Sequence, residues 1–277
     1  MNAKEQDILS VIQTRRGSTR LPDKVLLPLN GKPLFVRQAE RVKAARLCGR
    51  VVVATTGRRE DDVIAEICRA EDLDCYRGDP SDLLDRHYQA ALQFGGKTVI
   101  KIPSDCPLID PAIVDKVIGY WLLHSGEYDF VSNLHPATWP DGNDVEIMTF
   151  HVLEQAWHEA DRPMEREHTT PFIWERPDRF RIGNVTMEGG ADYSMTHRFT
   201  IDYAADYQLI QAVFEELHPV DPLFGVNAIL ELLEKRPELH AINADLAGLN
   251  WYRHHLDELK TVGAAQTKSD RSKIHTL

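Results

Sequence analysis

Short apolar runs recur along the first half of the chain, separated by stretches with helical periodicity. Four of these runs have strand length, are rich in β-branched residues and end at turn-rich segments, as buried strands do. They are residues 8–12, 51–54, 73–76 and 98–102. Between them, apolar residues stand three and four positions apart, which predicts amphipathic helices. These are expected at 33–45, 60–70 and 81–94. The alternation predicts βαβ units and a mostly parallel sheet.

Beyond about residue 125 the pattern is less regular. Strands are expected at 128–132 and 198–201, and helices at 204–217 and 226–235. A length of 277 residues is within reach of one large α/β domain. Residues 263–277 are polar and lack periodicity, so we expect them to form a disordered tail.

Composition places the chain among ordinary globular proteins. Hydrophobic residues make up 43% and charged residues 27%. Neither a run of roughly 18 apolar residues nor the features of a signal peptide are found, so we expect no membrane insertion and a cytoplasmic location. The four cysteines include no Cys-x-x-Cys pair, which argues against a zinc site or a disulfide framework. Cys106 is interpreted as a packing residue.

The charge is unevenly distributed. A net charge of −11 argues against binding to nucleic acid. Residues 13–37 nevertheless contain six basic side chains and one acidic one, Asp23, which indicates a small anionic ligand. The basic residues are Arg15, Arg16, Arg20, Lys24, Lys32 and Arg37.

The unusual loops all follow predicted strands. In open parallel sheets ligands bind outside the carboxyl ends of the strands, so these loops are expected to face one cleft. They are residues 13–24, 55–57, 77–79 and 103–105.

The loop at 13–24 has the chemistry of a phosphate-binding segment. Gly17, Ser18 and Thr19 offer backbone N–H groups and hydroxyls, and the neighbouring arginines and Lys24 supply positive charge. The loop is not a P-loop, because the second glycine and the adjoining hydroxyl are missing. A solvated basic turn is the alternative.

Two carboxylates also follow predicted strands, Asp105 and Asp202. Mg²⁺ prefers a few protein carboxylates together with phosphate oxygens and water, so both are candidate metal ligands opposite the basic loop. The alternative is that each caps a helix, one starting near Asp110 and the other at residue 204.

Taken together, these residues are similar to the cytidylyltransferase family that activates sugar acids, which includes 3-deoxy-manno-octulosonate and acylneuraminate cytidylyltransferases. The similarity rests on Arg15-x-Gly17-Ser18-Thr19-Arg20-Leu21-Pro22-x-Lys24, Gly31-Lys32-Pro33-Leu34 and Asp105-x-Pro107-Leu108. Further segments resemble the branch named for spore coat polysaccharide biosynthesis protein F. They include Val53-Ala54-Thr55-Thr56, Leu84-Asp85-Arg86-x-Tyr88, Pro140-Asp141-Gly142-x-Asp144-Val145-Glu146 and Glu165-Arg166-Glu167-His168-x-Thr170-Pro171.

The resemblance implies a three-layer α/β/α, glycosyltransferase-A-like nucleotidyltransferase fold. It also implies transfer of CMP from CTP to a sugar acid or another small phosphorylated or hydroxylated acceptor, with release of pyrophosphate, for surface polysaccharide or glycoconjugate synthesis. Arg15, Lys24 and Asp105 would be catalytic, and Asp105 and Asp202 would hold Mg²⁺. The implied nucleotide-binding residues are Thr14, Arg15, Arg16, Gly17, Ser18, Lys24, Thr55, Arg77, Gly78, Asp82, Arg86 and Ser104.

The acceptor side is expected in the second half of the chain. Asp144 and Glu146 alternate after a Pro-Asp-Gly turn and should share a strand face, so with Asp141 they could bind hydroxyls or an ammonium group. Glu165 and His168 lie one helical turn apart, and His168 could act as a base. Arg166, in the same segment, is also expected to bind the acceptor. A solvated edge strand, an ion-pair network or a subunit interface are the alternatives.

The resemblance also suggests how the chain is organised. A single domain is expected over 1–262, with a nucleotide-binding part at about 7–125 and an acceptor-binding and dimerisation part at about 126–200. The chain would return to the core at about 198–262. A homodimer is expected.

Three other functions fit the sequence less well. A nucleotide-sugar glycosyltransferase normally carries Asp-x-Asp after a strand, whereas Ser104-Asp105-Cys106 has one carboxylate. A catalytically silent nucleotide-binding or assembly protein would have no need to keep Arg15, Lys24, Asp105 and Asp202 together. A Rossmann dehydrogenase is disfavoured because no Gly-x-Gly-x-x-Gly follows the first strand.

Overall fold

A computed structural model of the chain describes residues 7–268. Seven of its nine strands form one sheet, and two short strands form a separate hairpin. The strands are β1 (Ile8–Gln13), β2 (Pro28–Leu29), β3 (Lys32–Pro33), β4 (Arg50–Thr56), β5 (Asp74–Gly78), β6 (Thr98–Pro103), β7 (Phe130–Ser132), β8 (Glu146–Thr149) and β9 (Ile182–Asn184). The order in the large sheet is β5-β4-β1-β6-β8-β7-β9.

Ten α-helices lie within the described residues. They are α1 (Leu34–Ala44), α2 (Asp62–Ala70), α3 (Leu83–Phe94), α4 (Pro111–Leu123), α5 (Phe150–Glu159), α6 (Pro163–His168), α7 (Pro171–Trp174), α8 (Ala204–Leu217), α9 (Val226–Lys235) and α10 (Pro237–His240). No helix among residues 7–268 is both long enough and apolar enough to cross a membrane.

The sheet is mostly parallel. β1 pairs in parallel with β4 and β6, and β4 pairs in parallel with β5. β8 is antiparallel to both of its neighbours, β6 and β7. The amino end of β8 therefore lies at the same sheet edge as the carboxyl end of β6, which brings Glu146 opposite Lys101.

Helices cover both faces of this sheet, which confirms the predicted three-layer α/β/α architecture. Alternate residues of β1 enter different cores because successive strand side chains point to opposite faces. Leu9 and Val11 pack with residues of α3, α5, α6 and α7. Ile8 and Ile12 pack on the other face with residues of α1 and α4.

The early elements agree with the sequence prediction, but the predicted strand at 198–201 is wrong. This segment forms one isolated bridge, between Arg198 and Asp141. Its backbone bonds to loops instead: the Phe199 N–H donates to the Asp141 carbonyl at 2.7 Å and the Ile201 N–H donates to the Asp105 carbonyl at 2.9 Å. The segment is buried like a strand, but its backbone hydrogen bonds connect the loop at Asp141 with the loop at Asp105.

Disorder was predicted from residue 263 onward, but the first residues of this segment are ordered. Ala264–Gln266 form a 3-10 helix, and Thr267 is buried. The Lys268 N–H donates to the Gly248 carbonyl at 2.8 Å. Residues 263–268 are therefore ordered by contacts that a periodicity argument does not detect, and residues 269–277 lie outside the described part.

His87 on α3 gives the fold a specific sensitivity to acid. Its ring is fully buried, and Nδ1 donates to the Leu83 carbonyl at 2.9 Å. Burial lowers the pKa of His87 from 6.5 to about 3. Because the folded protein binds this proton more weakly than the unfolded chain, the stabilisation is present above pH 6.5 and is lost as the pH falls toward 3.

We therefore expect His87→Leu to flatten the fall in the free energy of unfolding between pH 6.5 and 4. The expected difference in slope is up to about 1.4 kcal/mol per pH unit. Urea denaturation across this range measures it, with the exposed His158→Leu as a matched control. Equal slopes for the wild type and the His87 variant would contradict this assignment.

Candidate active site

A cavity of about 870 Å³ lies where the loops after β1 and β6 meet the second half of the chain. Loop residues from 13–24, 103–105 and 133–146 contribute to its wall, together with residues from 168–174 and 248–255. The edge of the parallel sheet thus provides one side of the cavity, and the less regular second half provides the other.

Thirteen residues predicted from the sequence line this cavity. They are Thr14, Arg15, Gly17, Ser18, Lys24, Arg86, Ser104, Asp105, Asp141, Asp144, Glu146, His168 and Asp202. The predicted convergence of the basic loop and the two carboxylates is therefore found in the structure.

Lys24 connects the basic loop to both of these carboxylates. Its Nζ lies 2.9 Å from Oδ1 of Asp202 and 3.4 Å from Oδ2 of Asp105, and it donates to the Ile201 carbonyl at 2.7 Å. Although burial opposes it, the two carboxylates raise the pKa of Lys24. Lys24 is therefore a buried, charged ammonium group in the cavity wall.

Asp202 accepts from three cationic side chains. Besides Lys24, Arg20 donates to Oδ1 at 2.7 Å and Arg198 donates to Oδ2 at 3.0 Å. Burial alone would raise the pKa of Asp202, but Lys24, Arg20 and Arg198 outweigh it and hold that pKa below its ordinary value. Asp202 does not cap α8: the N-cap residue is Tyr203, and its backbone N–H donates to Asp206 Oδ2 at 3.0 Å.

Arg198 is a functional candidate that the sequence prediction missed. Its guanidinium is almost fully buried and contacts Asp141 at 3.1 Å, Asp202 at 3.0 Å and Asp206 at 3.0 Å. It also donates to the Leu249 carbonyl at 2.7 Å. The spacing of four residues between Arg198, Asp202 and Asp206 could have indicated that these side chains lie together. A strand was predicted for the segment 198–201 instead, so this spacing was not used.

Two glycines near the cavity allow close packing. Gly142 has φ +108, and a Cβ there would lie 2.6 Å from the backbone of Phe199 and Thr200. Gly78 leaves room for Arg86, because a Cβ would lie 2.8 Å from the Arg86 Cγ. Gly78 itself does not line the cavity, so its contribution is to leave space for the Arg86 side chain.

Arg86 is buried at the cavity wall without hydrogen-bond partners for Nε and Nη1 among the described residues. Burial, with Arg15 nearby, lowers its pKa to about 10. Arg15 lines the same cavity and donates to the Pro80 carbonyl at 3.2 Å, and the Arg86 N–H donates to the Asp82 carbonyl at 3.2 Å. Buried cationic donors without partners are costly, so an anionic or strongly accepting ligand would complete this end of the cavity.

Four predicted nucleotide-binding residues lie outside the cavity wall besides Gly78. Arg16 is held by Asp23 through two bonds of 2.7 and 2.8 Å. Thr55 is completely buried. Arg77 pairs with Asp62 at 2.6 Å and donates to two backbone carbonyls. Asp82 accepts from Arg166 and caps α3.

Two residues predicted to bind the acceptor, Glu165 and Arg166, do not line the cavity. Glu165 is fully buried and pairs with Arg162 at 2.6 Å and Arg176 at 2.7 Å. Arg166 donates to the Trp157 carbonyl at 2.6 Å as well as to Asp82. Both residues join α6 to its surroundings, which agrees with the ion-pair network considered as the alternative.

Three predicted carboxylates form an acidic wall in the cavity. Glu146 is buried in an ion pair with Lys101. Burial raises the pKa of Asp141 to about 7 despite Arg198, with Asp105, Asp202 and Asp206 adding to the effect. Burial, followed by Asp141, Asp105 and Glu146, raises the pKa of Asp144 well above its ordinary value. Burial and mutual repulsion thus disfavour ionisation of Asp141 and Asp144, and a cation beside this acidic wall would stabilise their charged forms.

Aromatic residues from the end of the described chain were not predicted. Trp251 and Tyr252 line the cavity from a 3-10 helix, Trp251–His254. Trp251 stacks on His168 with ring centroids 3.8 Å apart. Burial lowers the pKa of His168 to about 3, so this ring is neutral near pH 7. The short irregular helix gave no periodic signal that could have placed these rings.

Comparison with known proteins identifies the family. The cytidylyltransferase family model matches residues 9–233. The chain is 33% identical over 241 residues to an uncharacterized protein of Methanocaldococcus jannaschii, covering 86% of this chain and 95% of the relative. It is 27% identical over 238 residues to the spore coat polysaccharide biosynthesis protein SpsF of Bacillus subtilis, covering 84% and 96%.

A solved structure gives the same result. The cytidylyltransferase of Leptospira borgpetersenii serovar Hardjo-bovis superposes with a TM-score of 0.80 at 31% identity, covering 84% of this chain and 96% of that one. The family expected from the residues is thus confirmed together with the fold. The chain belongs to the cytidylyltransferase family, and it is a nucleotidyltransferase that uses CTP.

Proposed function

We propose that this protein transfers CMP from CTP to a small hydroxylated acceptor and releases pyrophosphate. The observation that carries the proposal is the position of Lys24, which contacts Asp105 and Asp202 in the cavity that Arg15 and Arg86 also line. Cationic donors for a triphosphate and carboxylates for a metal therefore lie in one place. Membership of the family supports CTP as the nucleotide.

The cationic side chains would hold the triphosphate. Arg15 and Lys24 offer N–H donors at the cavity wall, and Gly17 and Ser18 line the same loop. Charge-assisted hydrogen bonds of this kind are the strong ones. Arg86, which lacks partners at Nε and Nη1 within residues 7–268, would donate to the nucleotide.

The carboxylates fit a divalent cation that is also bound by phosphate. Asp105 keeps lone pairs free, since its charged contact is Lys24 at 3.4 Å and its side chain is 30% exposed. Among residues 7–268, no group of three or more His, Cys, Asp or Glu is arranged to hold a metal alone. Asp105 and Asp202 would therefore hold Mg²⁺ together with phosphate oxygens and water, as Mg²⁺ prefers. When bound, the ion would neutralise charge on the phosphates.

The reaction requires no covalent intermediate on the protein. An oxygen of the acceptor attacks the α-phosphorus in line, a new P–O bond forms, and the bond to pyrophosphate breaks. Positioning and charge neutralisation supply most of the catalysis in such transfers. Cys106 is not required, and burial raises the pKa of its thiol well above the ordinary value. Lys24 and Arg15 would offset the charge that develops on the leaving group.

The acceptor would lie against the acidic wall formed by Asp141, Asp144 and Glu146. A role in surface polysaccharide or glycoconjugate synthesis is part of the proposal, and the homology to the spore coat protein SpsF supports it. The homodimer and the cytoplasmic location predicted from the sequence stay predictions.

Nucleotide titration tests the proposal without knowledge of the acceptor. With Mg²⁺, isothermal titration should show that CTP binds at least about tenfold more tightly than UTP, ATP or GTP, a difference of about 1.4 kcal/mol. Arg86→Met should weaken CTP binding by about tenfold or more, because a hydrogen bond to a charged group contributes roughly 1.5–3 kcal/mol. Arg46→Met, at an exposed pair with Asp115, is the matched control.

Two results would count against the proposal in different ways. Tighter binding of another nucleotide would show that the cytidylyl assignment is wrong, although nucleotidyl transfer would survive. Binding of none of the four nucleotides in Mg²⁺ would remove the proposed function itself.

A further inference from the structure

Six aromatic rings form a wall in the part of the cavity contributed by residues beyond 130. His168 stacks on Trp251, His135 stacks on Trp174 at 4.3 Å, and Tyr252 meets Trp174 edge-on at 6.2 Å. Burial lowers the pKa of His135 to about 4, so this imidazole, like that of His168, is neutral near pH 7. The aromatic wall comprises His135, His168, Trp174, Trp251, Tyr252 and His255.

The aromatic wall adjoins the acidic wall directly. Trp174 Nε1 donates to the Thr170 hydroxyl at 3.3 Å, and that hydroxyl donates to Glu146 Oε1 at 2.5 Å. Burial raises the pKa of Tyr252, and Glu146 and Asp144 add to this effect. Tyr252 lines the same cavity as Asp144 and Glu146, so a ligand on the rings would also reach the acidic side chains.

The cations of this region are already paired with other groups. Lys101 pairs with Glu146, and Arg198 is shared among Asp141, Asp202 and Asp206. Asp144 accepts from the Gly142 N–H at 3.3 Å, and within residues 7–268 it forms no ion pair. Arg15 and Arg86 contact the loop at 79–82, since Arg15 Nη1 donates to the Pro80 carbonyl at 3.2 Å and the Arg86 N–H donates to the Asp82 carbonyl at 3.2 Å. Asp144 is therefore the carboxylate of the acidic wall without a cationic partner among the described residues, and Arg253, which also lines this part of the cavity, donates to the Asn250 carbonyl at 2.6 Å.

We propose that the portion of the acceptor bound between these two walls carries a cationic amino group next to its hydroxyls. An ammonium group would pair with Asp144 and lie over the neutral rings, where a cation is attracted to the π face. A carboxylate or phosphate in this position would face Asp144 and Glu146 and remain uncompensated. The inference rests on the proposed function, since it assigns the acceptor of that reaction.

Three hexoses of similar size and different charge test the inference: glucosamine, glucose and glucuronate. Each is titrated into the full-length protein with CTP and Mg²⁺, and the change in tryptophan fluorescence, to which Trp174 and Trp251 in the aromatic wall contribute, reports binding. Glucosamine should bind about tenfold more tightly than glucose, and glucuronate more weakly than both. The titrations extend to about 100 mM, the range expected for ligands with few contacts.

Asp144→Asn separates charge recognition from the shape of the cavity. The variant should bind glucosamine and glucose with similar affinity, because the amide keeps the shape of the side chain and removes its charge. It should unfold at the same or a higher temperature than the wild type, since a crowded carboxylate is removed. Glu159→Gln, which alters an exposed ion pair with Arg179, should keep the wild-type order.

Several outcomes would overturn the inference. These are tighter binding of glucuronate than glucosamine, equal binding of all three sugars, no saturable signal with glucosamine, or an unchanged preference in Asp144→Asn. CTP binding is measured in the same samples. Normal CTP binding without a preference for the amine overturns this inference alone, whereas loss of CTP binding overturns the proposed function.

Discussion

Replacing Lys24 with methionine is expected to weaken CTP binding in Mg²⁺ by one to two orders of magnitude. Methionine keeps most of the buried stem but removes the ammonium group that contacts Asp105 and Asp202. The two carboxylates would then face the triphosphate without this counter-charge. Loss of a charged hydrogen bond contributes roughly 1.5–3 kcal/mol, and the added repulsion acts in the same direction. Isothermal titration measures the effect directly.

Turnover should fall further than binding once an acceptor is known. Removal of one preorganised charge contact at the site where negative charge develops typically lowers kcat by roughly 10²–10³-fold. Lys32→Met is the matched control, because Lys32 pairs with Glu40 and Glu71 and does not line the cavity. Unchanged CTP affinity in Lys24→Met would show that Lys24 neutralises the two aspartates without contacting the nucleotide.

The sheet and the basic loop could be predicted from the sequence because both depend on short-range patterns. Strand and helix periodicity placed β1, β4, β5 and β6 with the helices between them, and parallel pairing puts the ends of β1 and β6 at one edge. Lys24 and Asp105 follow these two strands. Their approach to 3.4 Å agrees with the predicted gathering of loops at one sheet edge, while the pairing of β1 with β6 is known only from the structure.

Thr55 and Arg77 were predicted to lie in loops after strands, but β4 and β5 are longer than predicted. β4 continues to Thr56 and β5 to Gly78, so both residues lie in the ladder between these strands and not in loops. Strand residues point alternately to opposite faces, and a side chain within the ladder need not face the strand end. A shift of two residues in a boundary therefore changes a predicted ligand contact into a structural one.

The Arg198 cluster and the aromatic wall depend on contacts between distant segments. Arg198 meets Asp141 across 57 residues and the Leu249 carbonyl across 51 residues. Trp251 meets His168 from a short helix without hydrophobic periodicity. Composition and spacing carry no information on such encounters, so the acceptor side of the cavity was only partly predicted.

Arg198→Met is expected to lower the free energy of unfolding by roughly 3–5 kcal/mol, the range for breaking a buried ion pair. Arg198 is 2% exposed, and its guanidinium compensates Asp141, Asp202 and Asp206. Methionine fills part of the volume but leaves these carboxylates close together in a buried site. Urea denaturation measures the loss. Arg236→Met, which breaks exposed pairs with Glu216 and Glu238, is the control and should leave the urea midpoint nearly unchanged.

A second substitution shows whether charge or packing causes the loss. Asp206 is fully buried, and its ion pair is with Arg198 at 3.0 Å, whereas Asp202 also pairs with Lys24 and Arg20. Asp206→Asn should therefore destabilise the wild type but restore about 1 kcal/mol or more to Arg198→Met, because interacting sites in one network show coupling of roughly 0.5–3 kcal/mol. Additive losses in the double variant would mean that the volume of Arg198, and not its charge, maintains this side of the cavity.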